Sequence, residues 1–307
     1  MHRTLRLLVF LVATSLVVAT ANPQQHSASP ASLPAAPASI RFAVIGDQGT
    51  GKGQQYEVAR QMVAEHDRVG FGFVLMVGDN LYGTSWAKER TLVFDIPYKP
   101  LLDRGVRFYA TLGNHDQKSA NEQMNFPLFN MGGKSAYSFK PAGDLVEFFT
   151  YNSTPHSEKG DRSQLAWLDS ALAASTAKWK IVFSHHPPFS PGSRHGDDKE
   201  LVATLVPILV KHGVQFVVTG HEHFFAKLKP VDGVHYMISG GGSKIHAGGI
   251  NQKDPRLEYG IDTAFHFVSL KLSEDVLEYS VIDSTGKTLY TGSLPRVQSA
   301  AAAGTRR

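Results

Sequence analysis

The sequence has 307 residues, a formal net charge of +4 and no cysteine. The lack of cysteine excludes disulfide bonds and thiolate metal ligands, and the small net charge, with no long basic run, gives little support to nucleic-acid binding. The length is enough for one large domain or two small ones.

The N-terminus, residues 1–21, has the pattern of a signal peptide. A basic start precedes an apolar stretch at residues 7–19, and Ala19 and Ala21 take the small-residue positions of a cleavage site. An apolar stretch of about 13 residues is too short to span a bilayer comfortably. The pattern therefore predicts export, to the periplasm or out of the cell, without a stable membrane anchor after cleavage. An uncleaved anchor is the alternative.

The composition divides the rest of the chain into three parts. Residues 22–39 are rich in alanine, proline and serine, and residues 295–307 are rich in alanine and end in two arginines. Both segments lack an apolar period, which predicts a solvated linker and a disordered tail. Residues 40–294 have enough apolar content for one compact domain.

The first two thirds of this domain alternate between strand and helix patterns. Apolar runs that predict buried strands lie at residues 42–45, 73–77, 106–112, 179–183 and 216–218. Amphipathic helix patterns lie at residues 56–66, 164–174 and 199–210. The strand-helix-strand rhythm in both halves predicts an α/β fold with two packed sheets.

The last third of the domain changes character. Short strand patterns separated by turn residues lie at residues 234–238, 265–272, 276–281 and 288–290. We expect these strands to form an antiparallel or mixed region that completes the second sheet.

A polar cluster follows each of the five early strands. The clusters are Asp47, Asp79-Asn80-Leu81-Tyr82, Asn114-His115-Asp116, His185-His186 and His221-Glu222-His223. Functional sites of α/β folds lie at the carboxyl ends of the strands. Carboxylate, amide and imidazole groups are metal ligands, so the sequence predicts two metal ions at this edge.

The segment around the first cluster also looks like a nucleotide-binding loop. Residues 46–53 almost match G-x-x-x-x-G-K-[ST], but position 53 is glycine. The missing Ser or Thr hydroxyl is the group that would bind Mg²⁺. Asp47, inside the segment, stands where a metal ligand would lie, so a nucleoside triphosphatase is disfavoured.

The five clusters, in their order and spacing, resemble the motifs of the calcineurin-like metallophosphoesterases over about residues 40–292. Many members begin with Asp-x-His, but Gly49 occupies the histidine position here. Tyr82 can fill that vacancy with a tyrosinate, so the chain most resembles the small purple acid phosphatases of the tartrate-resistant type. The resemblance implies an α/β fold, a four-layer α-β-β-α sandwich of two mixed sheets.

The resemblance also implies the residues of the site. Asp47, Asp79, Tyr82 and His223 would bind Fe³⁺, while Asp79, as a bridge, Asn114, His185 and His221 would bind a divalent ion, which is Fe²⁺, Zn²⁺ or Mn²⁺. Phenolate and carboxylate suit a hard trivalent ion, whereas amide oxygen and imidazole suit the divalent ions. His115 and His195 match the histidines that would give a proton to the leaving group.

The function that the resemblance implies is acid phosphatase activity on small phosphate monoesters, by attack of a metal-bound hydroxide. A phosphodiesterase or nucleotide hydrolase on the same centre is the alternative. A non-enzymatic metal-binding or scaffold protein that keeps the fold is a third hypothesis. The sequence does not indicate any protein partner.

Three residues have a second interpretation. His186 could replace His185 as a ligand, although the family's Gly-His-x-Pro form selects His185. Tyr82 could be an ordinary half-buried aromatic residue. Lys244, in the glycine-rich stretch 240–244, could neutralise phosphate or could simply be solvated.

Overall fold

The computed structural model describes residues 38–296. The predicted signal peptide, most of the predicted linker and nearly all of the predicted tail lie outside this range. The first strand begins at Ser39 and the last ends at Pro295. Within the described residues, no helix is both long enough and apolar enough to cross a membrane.

The described residues form thirteen β-strands and eight α-helices. The strands are β1 (Ser39–Ile45), β2 (Phe73–Met76), β3 (Arg107–Ala110), β4 (Tyr137–Phe139), β5 (Val146–Thr150), β6 (Trp179–Phe183), β7 (Phe216–Thr219), β8 (Phe225–Leu228), β9 (His235–Ser239), β10 (Leu257–Ile261), β11 (His266–Ser273), β12 (Val276–Asp283) and β13 (Thr288–Pro295). The helices are α1 (Gly53–Val69), α2 (Trp86–Arg90), α3 (Ile96–Asp103), α4 (Ala120–Met124), α5 (Ser153–Lys159), α6 (Leu165–Ala174), α7 (Lys199–Thr204) and α8 (Val206–Lys211). The five predicted strands are confirmed as β1, β2, β3, β6 and β7, although Arg107 at the start of β3 is exposed.

Two mixed sheets form the centre of the fold. The first has the order β13-β12-β11-β1-β2-β3, and the second has the order β10-β8-β9-β7-β6-β5-β4. β1, β2 and β3 are parallel, as are β5, β6, β7 and β9. Most of these parallel strands are connected through helices, because a parallel connection must cross over the sheet. Their carboxyl ends therefore lie at one edge of each sheet.

The prediction that the late strands complete the second sheet is wrong for three of the four. β9 does pair with β7 in the second sheet. β11, however, pairs antiparallel with β1, and β12 and β13 extend the first sheet from there. β1 has β2 on one side only, so its other edge would leave backbone N–H and C=O groups without partners, and β11 satisfies them.

The two sheets pack face to face through aromatic side chains. The ring of Phe42 in β1 stacks on Phe73 in β2, with centroids 5.2 Å apart, and meets Phe148 of the second sheet edge-on at 5.2 Å. Phe42 and Phe148 are fully buried. Burial of each such side chain stabilises the fold by about 2 to 3 kcal/mol, which fixes one sheet against the other.

Helices cover the outer face of each sheet. α1 contacts β11 and β12 of the first sheet, and α6 contacts β5 of the second. The fold is thus the predicted four-layer α-β-β-α sandwich. The single helix predicted over residues 199–210 is divided at Leu205 into α7 and α8. Pro207 lacks the N–H that would continue the hydrogen-bond ladder of α7, but it is tolerated in the first turn of α8.

Candidate metal centre

The predicted ligands leave their strands through unusual backbone conformations. Among the described residues, five non-glycine residues have positive φ, and three of them are Asp47 (58°), Asp79 (53°) and His221 (69°). The left-handed conformation costs such residues roughly 1 kcal/mol or more, and it concentrates at functional sites. Three instances at the ends of β1, β2 and β7 mark this edge as the candidate site.

The glycines of the motifs are required by space at this edge. A Cβ atom on Gly78 would lie 2.5 Å from Nδ1 of His185, and one on Gly220 would lie 2.6 Å from Oδ2 of Asp47. Neither distance is compatible with a side chain. Glycine therefore lets strand ends from the two sheets approach each other, which brings their polar side chains together.

The first cluster consists of Asp47, Asp79, Tyr82 and His223. Asp47, Asp79 and His223 each offer a ligand atom, and these atoms lie within 4.8 Å of one another. The Tyr82 hydroxyl lies 3.1 Å from Oδ1 of Asp47 and 3.1 Å from Nε2 of His223. The structure thus brings together all four residues predicted for the Fe³⁺ site.

The second cluster consists of Asn114, His185 and His221. Nε2 of His185 lies 3.0 Å from Oδ1 of Asn114 and 3.3 Å from Nδ1 of His221. On its other side, His185 has Nδ1 at 2.9 Å from the carbonyl oxygen of Val77. Donation of the Nδ1 proton to that carbonyl leaves a lone pair on Nε2, which is the usual arrangement of a metal-binding histidine.

Asp79 lies between the two clusters. Its Oδ1 accepts a hydrogen bond from the backbone N–H of His115 at 3.0 Å and lies 3.4 Å from Nε2 of His185. The carboxylate therefore contacts the second cluster while its ligand atom belongs to the first. This is the position that a bridging carboxylate needs.

The electrostatics of both clusters suit bound cations. Burial raises the pKa of Asp47 well above its usual value, and the Asp79 carboxylate raises it further, against the lowering effect of His185. Burial and the same two carboxylates raise the pKa of the Tyr82 phenol. Burial and the neighbouring imidazoles lower the pKa of His221, which keeps its lone pair free. Buried anions and neutral imidazoles that face one another fit two metal ions.

His186 is a neighbour of the second cluster that the sequence motif treats as variable. His185, His186 and His221 each offer a nitrogen within 4.8 Å of the others. The Ser153 hydroxyl accepts from the backbone N–H of His186 at 2.9 Å and lies 3.0 Å from its Nδ1. The Ser153 hydroxyl therefore holds the His186 ring through Nδ1. His186 is thus a hydrogen-bonded imidazole beside the cluster, and His185 remains the predicted ligand.

The two predicted proton donors lie on different sides of the centre. His115 is exposed, and its ring centroid is 4.6 Å from that of Tyr82 in the first cluster. Burial of part of the ring lowers the pKa of His115, against the Asp79 carboxylate, which raises it. The His195 ring lies 4.8 Å from the ring of His221 in the second cluster, and its side chain is 42% exposed.

Glu222 is a partner of His195 that the sequence did not reveal as functional. Its Oε2 lies 3.3 Å from Nδ1 of His195, and its Oε1 accepts a hydrogen bond from the Ser190 hydroxyl at 2.8 Å. The Glu222 side chain is buried, and a buried carboxylate needs such partners. The available signal was a charged residue between two histidines predicted as ligands, after a buried strand.

A cavity of about 400 Å³ opens beside the second cluster. Its walls include Asn114, His186, His195, His221 and Glu222. A small phosphate ester fits a cavity of this size. The predicted ligands Asn114 and His221, the predicted proton donor His195 and open space therefore meet at one place.

Comparisons with known proteins show the family of the chain. A family model described as calcineurin-like phosphoesterase matches residues 40–225. Purple acid phosphatase 17 of Arabidopsis thaliana is 30% identical over 315 residues, which cover 92% of this chain and 91% of that protein. Tartrate-resistant acid phosphatase type 5 of Homo sapiens is 27% identical over 297 residues, which cover 84% of this chain and 91% of that protein. The structure of purple acid phosphatase PPD1 from yellow lupin seeds shares the fold, with a TM-score of 0.71 at 16% identity, and covers 84% of this chain and 54% of that one.

Proposed function

The chain belongs to the calcineurin-like phosphoesterase family and is similar to its purple acid phosphatases, and we propose that it is an exported acid phosphatase that hydrolyses small phosphate monoesters. Membership makes it a metal-dependent phosphatase with a dinuclear centre. The monoester preference, the identity of the metals, the ligand set and the export are the proposed parts.

The pair of clusters, with Asp79 between them, is the main support for this proposal. Asp47 and Asp79 offer oxygens on one side, and Nε2 of His185 lies 3.4 Å from Oδ1 of Asp79 on the other. We assign Asp47, Asp79, Tyr82 and His223 to one ion and Asp79, Asn114, His185 and His221 to the other. Phenolate and two carboxylates suit Fe³⁺, and the amide and imidazoles suit Fe²⁺, Zn²⁺ or Mn²⁺.

The two ions, when bound, supply positive charge that holds phosphate oxygens and lowers the pKa of water. The protein adds groups that donate protons. His115 lies beside the first cluster, where it can give a proton to the departing alkoxide. His195 and His186 line the cavity beside the second cluster, where they can donate to the ester.

Glu222 has a supporting role in this proposal. Its Oε1 accepts a hydrogen bond from the Ser190 hydroxyl, and its Oε2 lies close to Nδ1 of His195. A carboxylate at Nδ1 holds the imidazole in the tautomer and orientation that present Nε2 to the cavity. The role of Glu222 is thus to orient His195, as carboxylates commonly do for catalytic or metal-binding histidines.

The proposal of export rests on the sequence of residues 1–21, which lie outside the described range. The basic start, the apolar stretch and the small residues before position 22 have the order of a cleaved signal. The final location, periplasmic or extracellular, is part of the same proposal. Sequencing the N-terminus of the protein from the culture medium and the periplasm tests it, since a mature chain that begins at Met1 would contradict it.

A substrate panel tests the reaction type. Metal-loaded protein is assayed against monoesters, diesters and nucleotides at matched concentrations. We expect the highest kcat/KM on monoesters. Preference for diesters would select the alternative phosphodiesterase, and no turnover on any ester would favour the non-enzymatic hypothesis.

The His115→Ala variant tests the proton donor. Loss of a general acid lowers kcat by roughly 10² to 10⁴-fold for esters with poor leaving groups, and much less for nitrophenyl esters, whose oxygen needs little protonation. Metal content should stay near that of the wild type, because His115 is not an assigned ligand. His66→Ala, on the distant helix α1, is the matched control. Equal losses on both ester types would count against the role.

A further inference from the structure

The glycine-rich segment after β9 packs tightly against the first cluster. A Cβ atom on Gly240 would lie 2.8 Å from Oδ2 of Asp47, and one on Gly242 would lie 2.5 Å from the carbonyl oxygen of Gly46. Only glycine lets the backbone pass this close to a predicted metal ligand. The close approach to the first cluster thus determines the backbone path of this segment. It also places the residues that follow Gly242 beside the cluster.

Two hydrogen bonds fix the end of this segment. The backbone N–H of Gly242 donates to the carbonyl oxygen of Gly46 at 2.9 Å, and the Ser243 hydroxyl donates to the carbonyl oxygen of Asp47 at 3.0 Å. Ser243 is buried. The next residue, Lys244, therefore starts from a fixed backbone position beside Asp47.

The ammonium group of Lys244 lies over the ring of Tyr82. Its Nζ is 3.5 Å from the ring centroid, the shortest of the three cation–π contacts in the described residues, since the others measure 5.0 Å and 5.5 Å. A cation in this position is attracted by the electrons of the ring face. The contact is strongest when the ring belongs to a phenolate, because the charges then have opposite sign.

We propose that Lys244 is a positioning residue that acts through Tyr82: its ammonium stabilises the π electrons of the metal-bound phenolate and so sets how readily the phenolate gives charge to Fe³⁺. The inference rests on the proposed assignment of Tyr82 as a ligand. A phenolate that donates less electron density to Fe³⁺ would leave that ion a stronger Lewis acid. Lys244 thus has a use in the first cluster other than simple solvation.

The colour of the protein reports this effect directly. Visible light moves charge from the filled orbitals of a phenolate to Fe³⁺, and a cation over the ring lowers the energy of those orbitals. Removal of the cation should therefore move the band to longer wavelength. A unit charge 3.5 Å from the ring, at an effective dielectric constant of about 20, sets an upper bound of roughly 50 nm on the shift, and the shift is smaller because the same cation also lowers the energy of the iron orbitals that accept the charge.

The experiment compares two replacements of Lys244 in the full-length, iron-loaded protein. Lys244→Met keeps the length of the side chain and removes the charge, while Lys244→Arg keeps a cation that stacks on aromatic rings. Lys52→Met is the matched control, because it removes the charge of an exposed lysine that lies near Lys244 and not over the ring. The band maximum, the iron per chain and the monoester activity are measured for each.

We expect a shift to longer wavelength in Lys244→Met and a band near that of the wild type in Lys244→Arg and Lys52→Met, all with wild-type iron content. A Lys244→Met band at the wild-type wavelength would overturn the inference while leaving the phosphatase proposal intact. A colourless wild-type protein with Fe³⁺ bound would overturn the inference together with the Tyr82 assignment. Monoester activity, measured separately, tests the proposed function in either case.

Discussion

The two sheets supply different chemistry to the centre. The proposed ligands from the first sheet, which follow β1, β2 and β3, all bind through oxygen; they are Asp47, Asp79, Tyr82 and Asn114. The proposed ligands from the second sheet, which follow β6 and β7, all bind through imidazole nitrogen; they are His185, His221 and His223. Each cluster takes ligands from both sheets. Two metals bound by this ligand set would join the sheets at their edge, as the aromatic side chains join them in the core.

The proposed ligand sets explain how one centre would hold two unlike ions. The first cluster has mostly oxygen atoms from the first sheet and one nitrogen, from His223. The second has two imidazoles and two oxygens, including the shared carboxylate of Asp79. Hard trivalent and borderline divalent ions prefer these two environments respectively. In this assignment the difference between the sites follows from how many ligands each sheet contributes: the first sheet supplies three of the four in the first cluster and two of the four in the second.

The largest expected effect comes from removal of the residue that both clusters share. Asp79→Ala should lose both ions and lower the free energy of unfolding, because the remaining buried charges are no longer balanced. Activity should fall by about 10³-fold or more, since the metals supply several kcal/mol of transition-state stabilisation. Metal analysis and monoester assays measure this. Asp103→Ala, an exposed surface carboxylate paired with Lys99, is the matched control and should change neither. Retention of two tightly bound ions by Asp79→Ala would contradict the bridge.

A smaller and one-sided effect is expected from His221→Ala. The variant removes a ligand of the second cluster only, so the divalent ion should be lost while Fe³⁺ and the colour remain. Activity should fall by roughly 10² to 10³-fold, because a single ion cannot hold both sides of the phosphate. Loss of the colour together with the divalent ion would show that the two clusters are not separable.

The smallest effect on activity is expected from Tyr82→Phe. The ring keeps its packing and loses the oxygen, so coordination is separated from burial. The variant should be colourless and should take up divalent ions at the first site, with activity reduced by about 10-fold because the Asp79 bridge remains. A variant that keeps the wild-type colour would remove Tyr82 from the ligand set.

Much of the site could be predicted because its signals are local. Each proposed ligand comes after a strand, and the polarity change at a strand end is visible in the sequence, as at Asp47 after residues 42–45. Which edge of which sheet a strand joins, by contrast, has no local signal in the sequence. β11 joins β1 because β1 has a free edge, and no residue within β11 indicates that choice.

The contacts between loops were also beyond local reasoning. Lys244 lies over Tyr82, and Glu222 faces His195, only because segments far apart in the chain approach each other at the edge of the sheets. His186 was set aside as a variable position because its motif does not show Ser153, whose hydroxyl orients the ring. Such contacts depend on loop conformations, which periodicity and motifs do not determine.

The metal content and visible spectrum of the natively purified wild-type protein test the central claim most directly. Two clusters of unlike ligands predict one iron and one divalent ion per chain, with an absorption band that makes the oxidised protein purple or pink. Reduction of the iron should weaken that band without loss of either metal. Two equivalent divalent ions in a colourless protein, or an iron-loaded protein with no visible band, would contradict the claim that the two sheets build two different metal sites.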